Sequence, residues 1–227
     1  MKKLAFCFLL VSFNFLTAQN EAAIWYFGEN AGLDFNTGAP VALTDGAMIT
    51  QEGCATISDG NGNLLFYTSG VTVWDRTHNP MPNGTGLLGD FSSSQSAIVV
   101  PDPGNPDLYY VFTVDDLGGP NGFQYSVVDM TLNGGLGDVT LKNIPLTTPV
   151  AEKLTAVEHA NGTDIWVLVH TYGNDQFLAY LVTPTGVITT PVVSSVGRDL
   201  PLDPGSKGTG GYMKISPDGQ YLAYVNG

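Results

Sequence analysis

The stretch AIVVPDPGNPDLYYVFTV (Ala97–Val114) reads as an apolar strand, a tight turn and a returning apolar strand. Three more stretches repeat the pattern: CATISDGNGNLLFY (Cys54–Tyr67), TAVEHANGTDIWVLVH (Thr155–His170) and YMKISPDGQYLAYV (Tyr212–Val225). The returning strands begin at Leu64, Leu108, Ile165 and Leu222, a period of roughly 50 residues, within the range of propeller and solenoid repeats. A hairpin cannot bury its own apolar faces, so regular repetition at this period implies units that stack or radiate about an axis.

The unit after Ala97 is legible in full. Ala97–Pro101 and Leu108–Val114 form one hairpin; Gln124–Met130 and Val139–Ile144 form a second across Asn133-Gly134-Gly135. The next unit repeats it with Thr155–Glu158, Ile165–His170, Phe177–Thr183 and Val187–Val193. Apolar, β-branched runs between Gly, Pro, Asn and Asp clusters are strand signals, and helical periodicity is almost absent. The predicted fold is all-β, a β-propeller of four-stranded antiparallel blades with about three and a half blades present. A sandwich also uses short strands, but would not place the same hairpin at one position in each unit. The blades fall at about 54–91, 97–144 and 154–193, with a half-blade at 211–225. In the first, the later strands are expected at Val71–Asp75 and near Leu87–Phe91. Short strands at Ile24–Phe27 and Leu33–Phe35 lie outside the repeat and are expected to complete the final blade. Its remaining strands would then lie beyond Gly227, making the propeller domain, 19–227, truncated at its C-terminal end and part of a longer protein.

The start of the chain, 1–18, reads differently. Lys2–Lys3 precede an apolar run, Leu4–Phe15, and Leu16-Thr17-Ala18 offers a small residue before Gln19. That is the pattern of a secretory signal peptide, too short to span a bilayer and followed by no stop-transfer pattern. Cys7 lies too early, behind Phe6, for lipid attachment. Cleavage predicts a secreted or outer-surface protein with no transmembrane segment. It leaves six basic against 21 acidic residues, a net charge of −15. Such a chain repels phosphate backbones, so nucleic-acid binding is disfavoured. Charged residues make up 13% of the chain, about half the usual quarter, while Gly and Pro number 28 and 14, as suits many short strands joined by tight turns. Cys54 alone remains after cleavage, read as a small apolar residue within a strand rather than a reactive thiol.

The segment Met213-Lys214-Ile215-Ser216-Pro217-Asp218-Gly219, followed by Tyr221-Leu222-Ala223, resembles WD40-like or PD40-type propeller repeats. More specific are GLDFNTGAPVALTDG (Gly32–Gly46), EGCATISDGNGNLLFYTSGVTVWD (Glu52–Asp75), YSVVDMTLNGGLGDV (Tyr125–Val139) and EKLTAVEHANGTDIWVLVH (Glu152–His170). Together they are similar to the N-terminal propeller of large surface proteins of gliding Bacteroidota exported by the type IX secretion system. The resemblance covers about Trp25 to Gly227 and implies adhesion or surface display, with no catalytic residues carried over. Modules that often follow the propeller in that family, and its sorting domain, are not in this sequence.

Candidate chemistry is sparse. Asp59-Gly60-Asn61-Gly62-Asn63 begins like a calcium loop, but Leu64 stands where the loop needs Gly and Gly70 where it needs a bidentate Glu. A hairpin turn explains the same residues. His78, His159 and His170 form no metal-binding spacing, and each faces solvent or a blade interface. Ser92-Ser93-Ser94-Gln95-Ser96 lacks a nucleophile elbow and reads as a polar loop entering the second blade. Gly208–Gly211 precedes a strand, not a helix, so it links blades rather than holding phosphate. Asn83-Gly84-Thr85 and Asn161-Gly162-Thr163 match the glycosylation pattern and also read as turns. The aromatics, among them Trp25, Tyr26, Phe66, Tyr67, Trp74, Tyr109, Tyr110 and Trp166, fill blade interfaces or, where exposed, stack on sugars.

No catalytic, cofactor-binding or metal-binding residue is therefore assigned. The expected function is a non-catalytic interaction and display module of a larger adhesin-like protein, with a surface polysaccharide or protein as partner. The alternative is an extracellular glycan-active hydrolase or lyase, with a carboxylate pair drawn from Asp75, Asp115, Asp116, Glu152 and Glu158.

Overall fold

The computed structural model describes residues 20–197, Leu200 and 208–226. Among them the chain is all-β, with no α-helix and no helix long and apolar enough to cross a membrane. Three sheets are four-stranded antiparallel meanders, the blades of a propeller arc. A first, three-stranded meander holds β1 (Ile24–Phe27), β2 (Ala31–Asp34) and β3 (Val41–Leu43). The first blade is β4 (Ala55–Ser58), β5 (Leu64–Thr68), β6 (Thr72–Asp75) and β7 (Pro80–Thr85). The second is β8 (Ala97–Asp102), β9 (Asn105–Val114), β10 (Phe123–Asp129) and β11 (Asp138–Thr147). The third is β12 (Val150–Glu158), β13 (Ile165–Thr171), β14 (Gln176–Thr183) and β15 (Gly186–Ser195). A hairpin of β16 (Gly211–Ile215) and β17 (Leu222–Asn226) follows, and among the described residues the sheets form an open arc.

The leading strand of each sheet packs against the leading strand of the next: β1 on β4, β4 on β8, β8 on β12, β12 on β16. These strands form the inner wall. The apolar core lies between sheets, because one blade cannot enclose its own faces. Phe66, Val73, Met81, Leu87, Val111 and Val128 fill the joint between the first two blades. Phe112, Phe123, Leu154, Val167 and Tyr180 fill the next. Cys54 is half-buried beside Tyr26 and Tyr67, donating from Sγ to the Tyr26 carbonyl at 3.5 Å; burial pushes its thiol up, which suits a packed residue and not a nucleophile.

One expectation is corrected. The last strand of the first blade is Pro80–Thr85, not Leu87–Phe91. Pro80 and Pro82 suit it because β7 is an outer strand, where missing N–H donors cost no ladder bond. Leu87 is instead a loop residue driven into the core. At the N-terminus, β1 and β2 pair with β3 in a three-stranded meander, and β1 packs on β4 of the first blade. The predicted half-blade, by contrast, is found as drawn, with Met213 opposite Tyr224 and Lys214 opposite Ala223.

Candidate functional site

The inner wall has two ends with different chemistry. At one end lie the turns joining β4 to β5, β8 to β9 and β12 to β13. Between them opens a groove of about 1160 Å³. Ile57 of β4, Val99 of β8 and Val157 of β12 line it, with Tyr109. Glu21, Asp59, Asp102 and Glu158 stand around it, and among the described residues no Lys or Arg lines it.

Several of these carboxylates shape turns. Asp59 accepts from the backbone N–H groups of Asn61 and Asn63, both at 2.9 Å, and from Asn63 Nδ2 at 3.0 Å. Those bonds, the Asn63 amide first, hold its carboxyl below the usual range. The string that begins like a calcium loop is thus an Asx-capped hairpin turn. Asp102 accepts from Gly104 N at 2.7 Å and from Tyr110 Oη at 2.8 Å. In the third blade the imidazole of His159 takes the capping role, its Nδ1 accepting from Asn161 N at 3.0 Å. Asn161 Oδ1 accepts from Thr163 N and Asp164 N, so Asn161-Gly162-Thr163 is a turn. Asn83-Gly84-Thr85 is not a turn: it lies in β7, and Asn83 Nδ2 donates across the joint to the Val139 carbonyl at 2.7 Å.

The other end gathers the loops that enter β4, β8, β12 and β16. Three carboxylates, Asp90, Asp115 and Asp116, bring oxygens within 4.8 Å of one another. Burial first, then the charges of Asp90, Glu152, Asp115 and Glu52, push the Asp116 carboxyl above its ordinary value. The oxygens are of the type a hard divalent cation takes, but three carboxylates fall short of the six to eight ligands calcium uses. Asp115 caps its own loop, accepting from Asp116 N at 3.1 Å and Asn121 N at 2.9 Å. Glu152, buried, ties three loops together: it accepts from Ser94 N at 3.2 Å, Leu117 N at 2.9 Å and Thr209 Oγ1 at 2.8 Å.

Of the five acids singled out from sequence, Asp115, Asp116 and Glu152 come together at this end. Asp75 and Glu158 do not. Asp75 is a buried turn cap for Thr77 and Asn79, and Glu158 stands on the rim of the opposite groove. Asp90 and Glu52 complete the cluster and escape sequence reading, since only the loop order around the repeat places them at that end. The serine run is a loop sewn to its neighbours: Ser93 Oγ donates to the Val114 carbonyl and Ser96 Oγ to that of Ser69, at 3.1 and 2.7 Å. A methyl added at Gly53 would sit 2.1 Å from Ser96 N, so only glycine lets that loop approach.

The three histidines stay apart. His78 bridges Tyr67 Oη at 3.2 Å and Asp45 at 3.4 Å. His159 lies against Trp166, its ring 5.5 Å away. His170 is fully buried between Phe177 and Tyr224, at ring distances of 4.6 and 5.0 Å. Lys153, also fully buried, sits 4.3 Å from the Tyr224 ring centroid, and burial lowers its amine to about 8. It reads as polar in sequence, so nothing there signals its place in a joint. Compared with known proteins, the chain matches no family model, no curated protein and no solved structure.

Proposed function

We propose that this chain is a non-catalytic interaction module of an exported, surface-displayed protein, and that it binds through the groove on its inner wall. The carrying observation is that groove: three inner strands give it apolar walls, and hairpin turns set a rim of carboxylates around it. Clefts of this shape with a few convergent polar groups are the default binding surface of a fold. The leader-like segment 1–18, the acidic balance and the resemblance to surface-protein propellers support export and display. Adhesion to a surface polysaccharide or protein is the role this assigns.

A second reading, a glycan-active enzyme, has one observation in its favour. The raised carboxyl of Asp116 beside Asp90 and Asp115 resembles the split acidities of an acid and base pair. Against it, those oxygens lie closer than the roughly 5–10 Å separation glycosidases use. The purified full chain, mixed with washed bacterial cells and with insoluble polysaccharides, should sediment with them and release no reducing sugar. Sugar release that disappears in Asp116→Asn would overturn the binding reading in favour of the enzyme.

A further inference from the structure

The groove has a charge pattern that selects among partners. Glu21 precedes β1, Asp59 follows β4, Asp102 ends β8 and Glu158 ends β12, so every neighbouring sheet presents a carboxylate to it. Glu21 and Glu158 are exposed, and neither side chain is engaged in a hydrogen bond among the described residues. Tyr109 registers the field: besides burial, the charges of Asp107, Asp59 and Glu21 push its hydroxyl up. Anionic glycans and phosphates are repelled from such a surface. Neutral sugars prefer open aromatic faces, whereas Tyr109, the one aromatic ring lining the groove among the described residues, already packs against Phe66 at 5.6 Å.

What fits is a cation with an apolar stem. Lysine and arginine lay their methylenes on apolar surface while the charged head reaches polar groups at the edge. Ile57, Val99 and Val157 provide the surface, and the four carboxylates provide the edge. At about 1160 Å³ the cleft exceeds the roughly 300–1,000 Å³ of small-molecule sites. We propose that the groove binds an extended, lysine- or arginine-bearing segment of a partner protein. This rests on reading the chain as an interaction module and names the partner class for that same site.

A fluorescein-labelled nonalysine titrated against the full chain, followed by anisotropy, tests it. Saturable binding that weakens with added salt is expected, with an N-acetylated, uncharged nonalysine failing to bind. Glu21→Gln with Glu158→Gln should weaken it by about tenfold, two partly exposed pairs being lost. Glu29→Gln with Asp175→Asn removes the same charge at the opposite end and should leave the affinity unchanged. Equal weakening by both pairs would overturn the groove assignment, leaving only diffuse attraction to an acidic chain. Failure of nonalysine to bind, while the chain still sediments with cells, would overturn the basic partner and spare the interaction reading. Failure in both assays would overturn both.

Discussion

The first and last joints of the arc solve the same packing problem differently. Where the β1–β3 meander meets the first blade, Tyr26, Tyr67 and Trp74 stack in sequence, with ring separations of 4.6 and 5.5 Å. His78 lies at the edge of that stack, facing the Asp45 carboxylate. The Tyr26 hydroxyl and, less strongly, His78 hold that carboxyl below its ordinary value. Where the third blade meets the β16–β17 hairpin, Tyr224 has His170 on one side and the Lys153 amine near its ring. Lys153 reaches Asn226, and Glu152, the carboxylate whose charge favours its protonated form, is already bonded to Ser94, Leu117 and Thr209. One joint pairs its ionisable ring with a partner at the surface. The other takes two basic groups out of water around one aromatic, which is the costlier arrangement.

Removing the aromatic stack at the first joint should have the largest effect. Tyr67→Ala deletes a fully buried ring and the acceptor of the Ala47 N–H, and should cost about 3–5 kcal/mol of stability in chemical denaturation. At the last joint, Glu152→Ala leaves the Ser94 and Leu117 N–H groups without their acceptor and should cost about 3 kcal/mol by the same measurement. Lys153→Met goes the other way. An apolar side chain of similar length should raise stability by about 1 kcal/mol or more, since the amine is buried without a full charge partner.

The joints should also separate by pH. Lys153 titrates at about 8 when folded, against about 10.5 when unfolded. Between those values the unfolded state holds more protons, so stability rises with pH across that window, and Lys153→Met should flatten the rise. Burial lowers His170 below its ordinary value of about 6.5, with Lys153 adding to the effect, while the Thr171 carbonyl and Asp175 oppose it. Stability should therefore fall as pH drops below about 6.5, through the window where only the unfolded histidine is protonated, and His170→Phe should remove that component of a thermal-melt pH series. The smallest effect is at the exposed pair: Asp45→Asn should cost less than about 1 kcal/mol, and added salt should shrink it further.

Legibility in the sequence followed the turns. Asp59, Asp102 and Asp218 mark hairpins because their side chains cap the very backbone groups that define each turn. Where a strand lacks apolar alternation the reading failed. β7 carries two prolines and an Asn-Gly pair, and β3 is only three residues, Val-Ala-Leu, too short to show an alternation. Lys153 illustrates a subtler limit: the pairing of β12 with β13 shifts register between Val150 and Leu154, and that irregularity, not residue type, puts it inside. Asp115, Asp116 and Glu152 were recognisable as acids with potential, but their meeting with Asp90 depends on how successive blades lie side by side, which no local pattern encodes.

Among the described residues every sheet is made of strands taken in unbroken chain order, with no crossover between blades. Its meaning is kinetic. Contacts within a blade join residues close in sequence, so loop-closure entropy stays low for each unit, although the fold is entirely β. A chain threading out of a narrow exit could close each unit as soon as its own strands have emerged, and seat it on its predecessor without waiting for the rest.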